Sequence, residues 1–395
     1  MRGRRFTVLF MAVSATAITL TAAAVAINRA TTDLSANDNV NLIRTPNGGL
    51  QPQALMDGSG ALHLVYFAGE PGAGDIFYVR RERGKEDFSS PIRVNSQPGS
   101  AIATGTIRGA HIAIGKNGRV HVSWNGSNQA SPRGPDNSAP MLYARMNDAK
   151  TAFEAQRNLM QFSHALDGGG SLAADKDGAV YVAWHGAGEQ KGEEHRRVWL
   201  ARSTDEGKTF TREAAARAEE TGACGCCGMR AFVDPRGALH LFYRTATNMT
   251  ERGMFLLTSN DKGKSFRGTR LDNWHLTSCP MSSVTAAAND QRTLAAWEND
   301  GQVYFGAIDS SSQKPAPAPA PTGKRKHPAI ATNARGETIL VWTEGTGWKK
   351  GGSLAWQVFD KTDKPVGVMG AAQGVPVWGL ATVVTEPDGR FTVVY

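Results

Sequence analysis

The sequence lacks the features of a nucleic-acid-binding protein. Its 395 residues carry a formal net charge of +8, but Arg2, Arg4 and Arg5 supply three of these charges at the N-terminus. The other basic residues are scattered, and the one short run, 324–326, follows a Pro-Ala segment and contains no aromatic residue. Nucleic-acid-binding surfaces combine clustered basic residues with stacking aromatics. We therefore exclude nucleic acid as a partner.

The chain also lacks a helical hydrophobic period. It instead repeats a unit of two apolar strands joined by a tight turn, in which the second strand ends on an aromatic residue. The seven aromatic ends are Tyr66, Trp124, Trp184, Tyr243, Trp297, Trp342 and Tyr395. A glycine lies six residues before six of these ends, where a tight turn favours positive φ, and Gln291 takes that place in the unit ending at Trp297.

A third strand is expected in six of the units, at residues 76–81, 141–146, 198–203, 254–259, 303–308 and 354–359. Repeats of about 45 to 60 residues that contain only strands are typical of the four-stranded blades of a β-propeller. The sequence therefore predicts an all-β fold in which residues 31–395 form one β-propeller domain. The Pro-Ala run 314–321 is expected to replace the outer strand of the fifth unit as a surface connector.

The number of blades depends on how the ring closes. The seventh strand pair stops at Tyr395 and has no third strand after it. Because an open ring would expose two sheet edges, we expect the N-terminal segment 39–45 to add a strand beside this last pair. Seven blades are favoured on this ground. Six blades are the alternative, if the final pair belongs to an irregular blade.

The N-terminus, residues 1–30, has the pattern of an export signal. Three arginines precede an uncharged apolar run, 8–27, and Ala24-Val25-Ala26 places small residues at cleavage spacing. A retained membrane anchor is the alternative, because about 20 apolar residues can span a bilayer. Both interpretations place the folded domain in the periplasm or outside the cell. Contact with a membrane is expected only through an uncleaved N-terminal segment.

Two octapeptides share the order Ser-x-Asp-x-Gly-x-Ser/Thr-Phe. Their matching residues are Ser203, Asp205, Gly207 and Phe210 in the first and Ser259, Asp261, Gly263 and Phe266 in the second. This order resembles the Asp-box, or BNR, repeat of sialidase-superfamily propellers. We expect the carboxylates to accept turn N–H groups, the glycines to adopt the left-handed conformation and the phenylalanines to plug between blades. The resemblance implies the fold and not the chemistry, because the family's box lies away from its active site.

The residues that sialidase chemistry needs are incomplete. The resemblance implies three arginines for the substrate carboxylate, a Tyr nucleophile activated by a Glu and an Asp acid/base. The segment 51–53, Gln-Pro-Gln, stands where the family has its first arginine, and all seven tyrosines fall on repeat positions with a structural role. Arg108, Arg230 and Arg325 lie at or just before inner strands and are the candidates for an anion clamp. Catalytic residues stay unassigned.

The four cysteines lie between residues 224 and 279. Cys224-Gly225-Cys226-Cys227 and the later Asp272-Asn273-Trp274…Cys279-Pro280 resemble a group of exported bacterial sialidase-like propellers of unassigned activity. Disulfides are expected in an oxidising compartment, with Cys226–Cys279 or Cys227–Cys279 as the bridge between blades. A soft-metal site for copper or zinc is the alternative. The spacing differs from that of paired zinc motifs, so we expect no cofactor.

Together these observations predict an exported binding or scaffold module for a glycan or an extracytoplasmic protein, without true sialidase activity. Its ligand site is expected at the channel mouth, where the cysteines join Arg230, Asp272, Trp274 and His275. Two alternatives stay open. One is an exo-acting glycoside hydrolase of sialidase type with a rearranged site, and the other is binding of copper or zinc by the cysteines.

Overall fold

The computed structural model describes residues 39–217, 221–308, 315–320 and 324–395. Seven β-sheets form the blades of a ring, six with four strands and one with three. The first strands of neighbouring blades contact one another around the ring, so the ring is closed. The prediction of a seven-bladed all-β propeller is confirmed, and the six-blade alternative is wrong. The predicted export signal or anchor, residues 1–30, lies outside the described residues.

The six four-stranded blades use their strands in chain order from the ring centre outward, and in the seventh β26 and β27 are followed outward by the N-terminal strand. The first strands are β2 (Leu50–Met56), β6 (His111–Ile114), β10 (Gly170–Ala174), β14 (Arg230–Val233), β18 (Val284–Ala288), β22 (Arg325–Thr332) and β26 (Thr382–Thr385). The second strands are β3 (Leu62–Glu70), β7 (Val120–Asn125), β11 (Val180–Gly186), β15 (Leu239–Arg244), β19 (Thr293–Asn299), β23 (Thr338–Glu344) and β27 (Phe391–Val394).

The third strands are β4 (Ala73–Arg81), β8 (Met141–Arg145), β12 (Arg197–Ser203), β16 (Met254–Ser259), β20 (Gln302–Ala307) and β24 (Gly352–Phe359). The outer strands are β5 (Ile92–Arg93), β9 (Arg157–Asn158), β13 (Ala214–Ala215), β17 (Arg267–Arg270), β21 (Ala316–Pro317) and β25 (Pro365–Val375). The Pro-Ala run therefore supplies an outer strand, contrary to expectation. It can do so because its alanines still donate, as the amide of Ala318 does to Val303 O at 2.8 Å.

The N-terminal strand β1 (Val40–Ile43) closes the ring as expected. It pairs in parallel with β27, with Val40 opposite Phe391 and Ile43 opposite Val394. The amide of Thr45 then donates to the carbonyl of Tyr395 at 2.8 Å. The two ends of the propeller domain are thus joined within one blade, which removes a sheet edge.

Two faces of the ring follow from this strand order. We call the face with the hairpin turns between first and second strands the turn face, and the face where one blade leads into the next the connection face. The six turn glycines all have positive φ, between 68° at Gly118 and 103° at Gly178, as the sequence predicts. Over the described residues, no helix is long and apolar enough to cross a membrane.

The hydrophobic core lies in the gaps between neighbouring blades. Phe67 and Trp124 share the cluster between the first and second blades, and Leu64 and Val394 share the one between the first and last. The seven aromatic strand ends are each at most 8% exposed and belong to this packing. Burial of this kind stabilises each blade against its neighbour and leaves the ring centre as a channel.

Candidate functional site

The central channel consists of a wide chamber and a narrow end. The chamber has a volume of about 1110 Å³, and the first strands of all seven blades line it. It reaches the turn face, where the exposed residues Asp177 and Lys262 form part of its wall. The narrow end, about 60 Å³, lies among the starts of the first strands near the connection face. The channel therefore widens towards the turn face.

Arg230 borders both parts of the channel. It is the first residue of β14, and its Nη1 lies 3.4 Å from Gln53 Oε1, while its Nε has no hydrogen-bond partner. Among the described residues, no carboxylate lies within ion-pair distance of it, and burial alone lowers its pKa to about 10. Arg230 is therefore a charged, half-buried group whose hydrogen-bonding capacity is not filled. An anionic ligand group in the channel could fill it.

Two histidines line the narrow end beside Arg230. His111 Nδ1 lies 3.3 Å from Ser171 Oγ, and its pKa is lowered to about 3, first by burial and then by the charge of Arg230. Burial likewise lowers the pKa of His327 to about 4, against the opposing effect of Glu298. Both imidazoles are thus neutral at neutral pH. They offer hydrogen bonds to a ligand, while Arg230 offers the charge.

Backbone irregularities bring polar side chains to this narrow end. The pairing register shifts between Leu50 and Gln53 in β2 and between Lys326 and Ala329 in β22. Gln51 and His327 lie in these two shifts, both at a φ of 52°, and both line the narrow end. A β-bulge of this kind redirects a side chain and is common beside binding sites. The sequence carries only a weak signal for it, a proline next to each residue.

The other two arginines proposed for an anion clamp do not line the channel. Arg108 donates to the carboxylate and carbonyl of Asp167. Arg325, which is 1% exposed, donates to Glu344 Oε1 at 3.1 Å and to two carbonyls of the Pro-Ala segment, and it lies over the ring of Trp342. Of the three arginines proposed for the clamp, the structure therefore brings Arg230 alone to the channel.

Asp272, Trp274 and His275 lie on the connection between β17 and β18, outside the channel lining. Asp272 accepts hydrogen bonds from the amide of Met254, from Trp297 Nε1 at 2.6 Å and from Asn299 Nδ2 at 2.8 Å, so it ties the fourth blade to the fifth. The ring of Trp274 lies 4.7 Å from the guanidinium of Arg244. His275 is exposed, and its Nδ1 lies 2.9 Å from Glu251 Oε1.

The four cysteines meet on the connection face, next to the narrow end. Cys226 and Cys279 form a disulfide with their Cα atoms 6.4 Å apart, which is one of the two bridges expected from the sequence. Cys224 and Cys227 are buried free thiols whose sulfurs lie 2.9 Å apart. Cys224 Sγ is also 3.6 Å from Cys226 Sγ. A second disulfide is therefore not formed, and the buried thiols of Cys224 and Cys227 lie beside the Cys226–Cys279 disulfide.

Arginines surround the two thiols. Arg244 is 1% exposed and donates to Ser282 Oγ at 2.6 Å, and that hydroxyl donates to Cys227 Sγ at 3.5 Å. Burial opposes ionisation of Cys227, but the hydrogen bond from Cys224 and the charge of Arg244 outweigh it and lower the pKa of Cys227 to about 7. The pKa of Cys224 is raised, because its thiol gives that hydrogen bond and is itself buried. One thiolate shared within this pair is the favoured ionised state.

The two octapeptides form turns with the same hydrogen bonds. Ser203 Oγ donates to Asp205 Oδ1 at 2.7 Å, and the amide of Gly207 donates to Ser203 Oγ at 2.9 Å. The second turn repeats these contacts at 2.7 and 2.8 Å, between Ser259 and Asp261 and between Gly263 and Ser259. Gly207 and Gly263 have φ values of 73° and 75°.

The two octapeptide phenylalanines pack at the blade gaps. Phe210 meets Tyr143 of the second blade at a ring distance of 4.8 Å. Phe266 packs against the cluster shared by the third and fourth blades. The octapeptides therefore build the turn face and contribute little to the channel.

Sequence reasoning missed a second set of turn residues. Their side-chain Oδ1 accepts the amides two and four residues later in the hairpin turns; they are Asp57, Asp175, Asp234 and Asn333. The signal was present, because each stands three residues before a turn glycine. Asp57 and Asp234 also bond the histidines of the second strands, His63 at 3.1 Å and His240 at 3.2 Å.

No protein-family model and no curated protein matches the chain. A solved structure of unknown function from Dyadobacter fermentans DSM 18053 is 14% identical, with 85% of this chain and 96% of that chain covered and a TM-score of 0.52. The Hadza microbial sialidase Hz136 is 12% identical, with 82% and 74% covered and a TM-score of 0.50. At these identities the likeness shows the fold alone, a sialidase-like β-propeller.

Proposed function

We propose that this propeller of sialidase-like fold is an exported binding module that holds the carboxylate of an acidic sugar at Arg230. The observation that carries the proposal is a half-buried guanidinium that borders the cavity, has an Nε without a hydrogen-bond partner and has no carboxylate partner among the described residues. A ligand carboxylate would complete its ion pair and its hydrogen bonds. The chamber, at about 1110 Å³, is slightly larger than typical pockets for small molecules, so it suits one or two sugar units.

Export is supported by the disulfide, because such bonds persist in oxidising compartments. The arginines and apolar run of residues 1–30 agree with it. A glycan suits the channel better than a folded protein partner does, since the chamber is enclosed by seven blades and could admit only a small group. The sialidase Hz136 shares this fold, which is compatible with a ligand of this class.

Binding is preferred to hydrolysis because the channel offers no complete catalytic pair. Among the described residues that line its two parts, none is a tyrosine or a glutamate. The aspartates of the lining, such as Asp57 and Asp234, bond turn amides and a histidine. Glycoside hydrolysis needs an acid/base with a second carboxylate or a tyrosine nucleophile. No specific observation favours the hydrolase alternative.

Replacing Arg230 tests the proposal. We expect Arg230→Gln to weaken binding of acidic sugars about 10- to 100-fold, because a hydrogen bond to a charged group is lost. Neutral sugars of the same size should bind the variant and the parent protein equally. Isothermal titration calorimetry against a panel of sialic, uronic and neutral sugars measures both effects.

A matched control is Arg390→Gln, which makes the same change in charge. Arg390 has a 58% exposed side chain, pairs with Asp388 and does not line the channel. We expect its affinity to equal that of the parent. Equal losses in the two variants, or no binding of any acidic sugar by the parent, would overturn the proposal. If the parent protein hydrolyses a fluorogenic sialoside and Arg230→Gln does not, a catalytic role would replace the proposed binding role.

A further inference from the structure

We propose that Cys224, Cys226 and Cys227 form a three-thiolate site for Cu(I), which the Cys226–Cys279 disulfide keeps closed. The site lies on the connection face and uses none of the channel residues proposed for sugar binding. Its three sulfurs already lie within 4.8 Å of one another. Reduction of the disulfide would free the third.

The spacing of the sulfurs fits one bound metal. Cys224 Sγ lies 2.9 Å from Cys227 Sγ and 3.6 Å from Cys226 Sγ. Sulfurs that bind a metal at about 2.3 Å lie about 3.8 to 4.0 Å apart in tetrahedral or trigonal geometry. A short turn produces the arrangement, since the amide of Cys227 donates to the carbonyl of Cys224 at 3.3 Å. Small rotations of these side chains would therefore suffice for binding.

The donor set favours a soft cation. Among the described residues, neither an imidazole nor a carboxylate belongs to the group, so all its ligands are sulfur. Thiolates select Cu(I) and zinc over calcium, magnesium or manganese. A structural zinc site usually needs four ligands, and the fourth sulfur here would have to come from Cys279. Cu(I) is the cation we assign, because the three clustered sulfurs suffice for it.

Arginines offset the negative charge of such a complex. Three thiolates with one Cu(I) carry two negative charges, and Arg196, Arg244 and Arg252 lie around the turn together with Glu193 and Asp167, which pair with Arg252 and Arg108. Arg196 Nε, Glu193 Oε1 and Asp167 Oδ2 flank Gly225 within the turn. Arg252 is 4% exposed, and its Nη1 has no hydrogen-bond partner. Unfilled guanidinium donors beside buried sulfurs favour thiolates over thiols.

Opening the site is a two-electron reduction. An exported dithiol protein would attack the disulfide, its two thiols becoming a disulfide while Cys226 and Cys279 each gain one electron and one proton. Cys279 is exposed and Cys226 is half-buried, so a reductant can reach the bond from solvent. Cu(I) then displaces the thiol protons of Cys224, Cys226 and Cys227. An exported protein disulfide would reverse this step by exchange, its disulfide being reduced to two thiols while Cys226 and Cys279 lose two electrons and two protons, and the ion would be released.

Two serine variants distinguish the loss of a metal ligand from the loss of the disulfide that keeps the site closed. Cys279→Ser removes the disulfide and leaves three thiols, so we expect it to bind one Cu(I) without prior reduction. Cys226→Ser also removes the disulfide but lacks a ligand, so its affinity should be at least about 100-fold lower. Anaerobic competition with the chromogenic chelator bicinchoninate measures the affinities, and X-ray absorption should report three sulfur ligands. The parent protein should bind Cu(I) tightly only after reduction by a dithiol.

Three results would overturn the proposal. The first is equal Cu(I) affinity in Cys226→Ser and Cys279→Ser, and the second is equal affinity in the oxidised and reduced parent. The third is tight zinc binding by the reduced parent that Cys279→Ser abolishes, since that would make this a four-cysteine zinc site. Circular dichroism melts of both variants check the fold. Because both lose the same disulfide, a difference in Cu(I) affinity cannot come from the bond itself.

Discussion

The two faces of the propeller differ in how often their side-chain arrangements recur. On the turn face, Asp205 and Asp261 make the same hydrogen bonds in neighbouring blades. On the connection face, all four cysteines of the chain and the stack of Arg244 on Trp274 belong to the fourth and fifth blades. Recurring residues build the blades, and residues that occur once mark where this propeller differs from a generic one. Function is therefore expected among the latter.

The largest effect that tests this contrast is expected at Arg244. Its guanidinium donates to Ser282 Oγ, to Arg252 O and to Glu298 O at 2.5 to 2.6 Å. Arg244→Met would leave three buried acceptors unpaired, so we expect the free energy of unfolding to fall by about 4 kcal/mol. Urea denaturation measures the loss.

Arg236→Met is the control on the opposite face of the same blade. Its side chain is 63% exposed in the turn between β14 and β15. We expect its free energy of unfolding to change by no more than about 0.5 kcal/mol, as is usual for surface substitutions. Similar losses in the two variants would show that the connection face is not the more tightly organised of the two.

A smaller effect distinguishes the two octapeptide turns from each other. A methyl group on Gly207 would overlap the hydroxyl of Tyr143, a fully buried residue, whereas one on Gly263 would meet Leu200 and Arg202 side-chain carbons at 3.0 and 3.1 Å. Both glycines have left-handed φ, which costs an alanine about 1 to 2 kcal/mol. We expect the free energy of unfolding to fall by about 3 kcal/mol in Gly207→Ala and by about half as much in Gly263→Ala.

Thermal unfolding of both glycine variants, followed by circular dichroism, measures this difference. Equal losses would mean that the turns are interchangeable and that the contact with the neighbouring blade has no influence. A larger loss in Gly263→Ala would contradict the packing described for Tyr143.

The fold could be predicted from the sequence because its signals are local. Strand alternation, the aromatic ends and the turn glycines all lie within about ten residues of one another, and the closing strand follows from the missing partner of β27. The exception is the outer strand at Ala316–Pro317, where proline content indicated a connector. Alternate alanines retain the amides that the sheet needs.

The site could not be predicted as well, because it depends on partners that are distant in sequence. Arg230 and Arg325 both begin a first strand. The partner of Arg325 on the neighbouring strand β23 is Glu344, whereas the partner of Arg230 on β15 is Phe242. The strand register therefore decides which of the two arginines has a carboxylate partner. Cys226 and Cys227 are adjacent residues, and only the turn geometry selects the one that meets Cys279.

The smallest expected effect concerns pH. Burial lowers the pKa of Arg230 to about 10, so it stays charged below that value, and burial lowers the pKa of His111 to about 3, so it stays neutral above that value. Neither group titrates between about pH 5 and 8, and a sugar carboxylate is ionised there. Asp205 of the turn face has a pKa lowered to about 2, because its hydrogen bonds outweigh the effect of burial. The stability that this carboxylate contributes is therefore fully present above its pKa in the unfolded chain, and it is lost as the pH falls through about 2.

We therefore expect the dissociation constant of an acidic sugar to change less than about threefold across pH 5 to 8 in calorimetric titrations at constant ionic strength. A transition near pH 6.5 would instead assign binding to a histidine with an ordinary pKa. The buried histidines of the narrow end do not titrate in that range, so the ligand would then have to bind elsewhere.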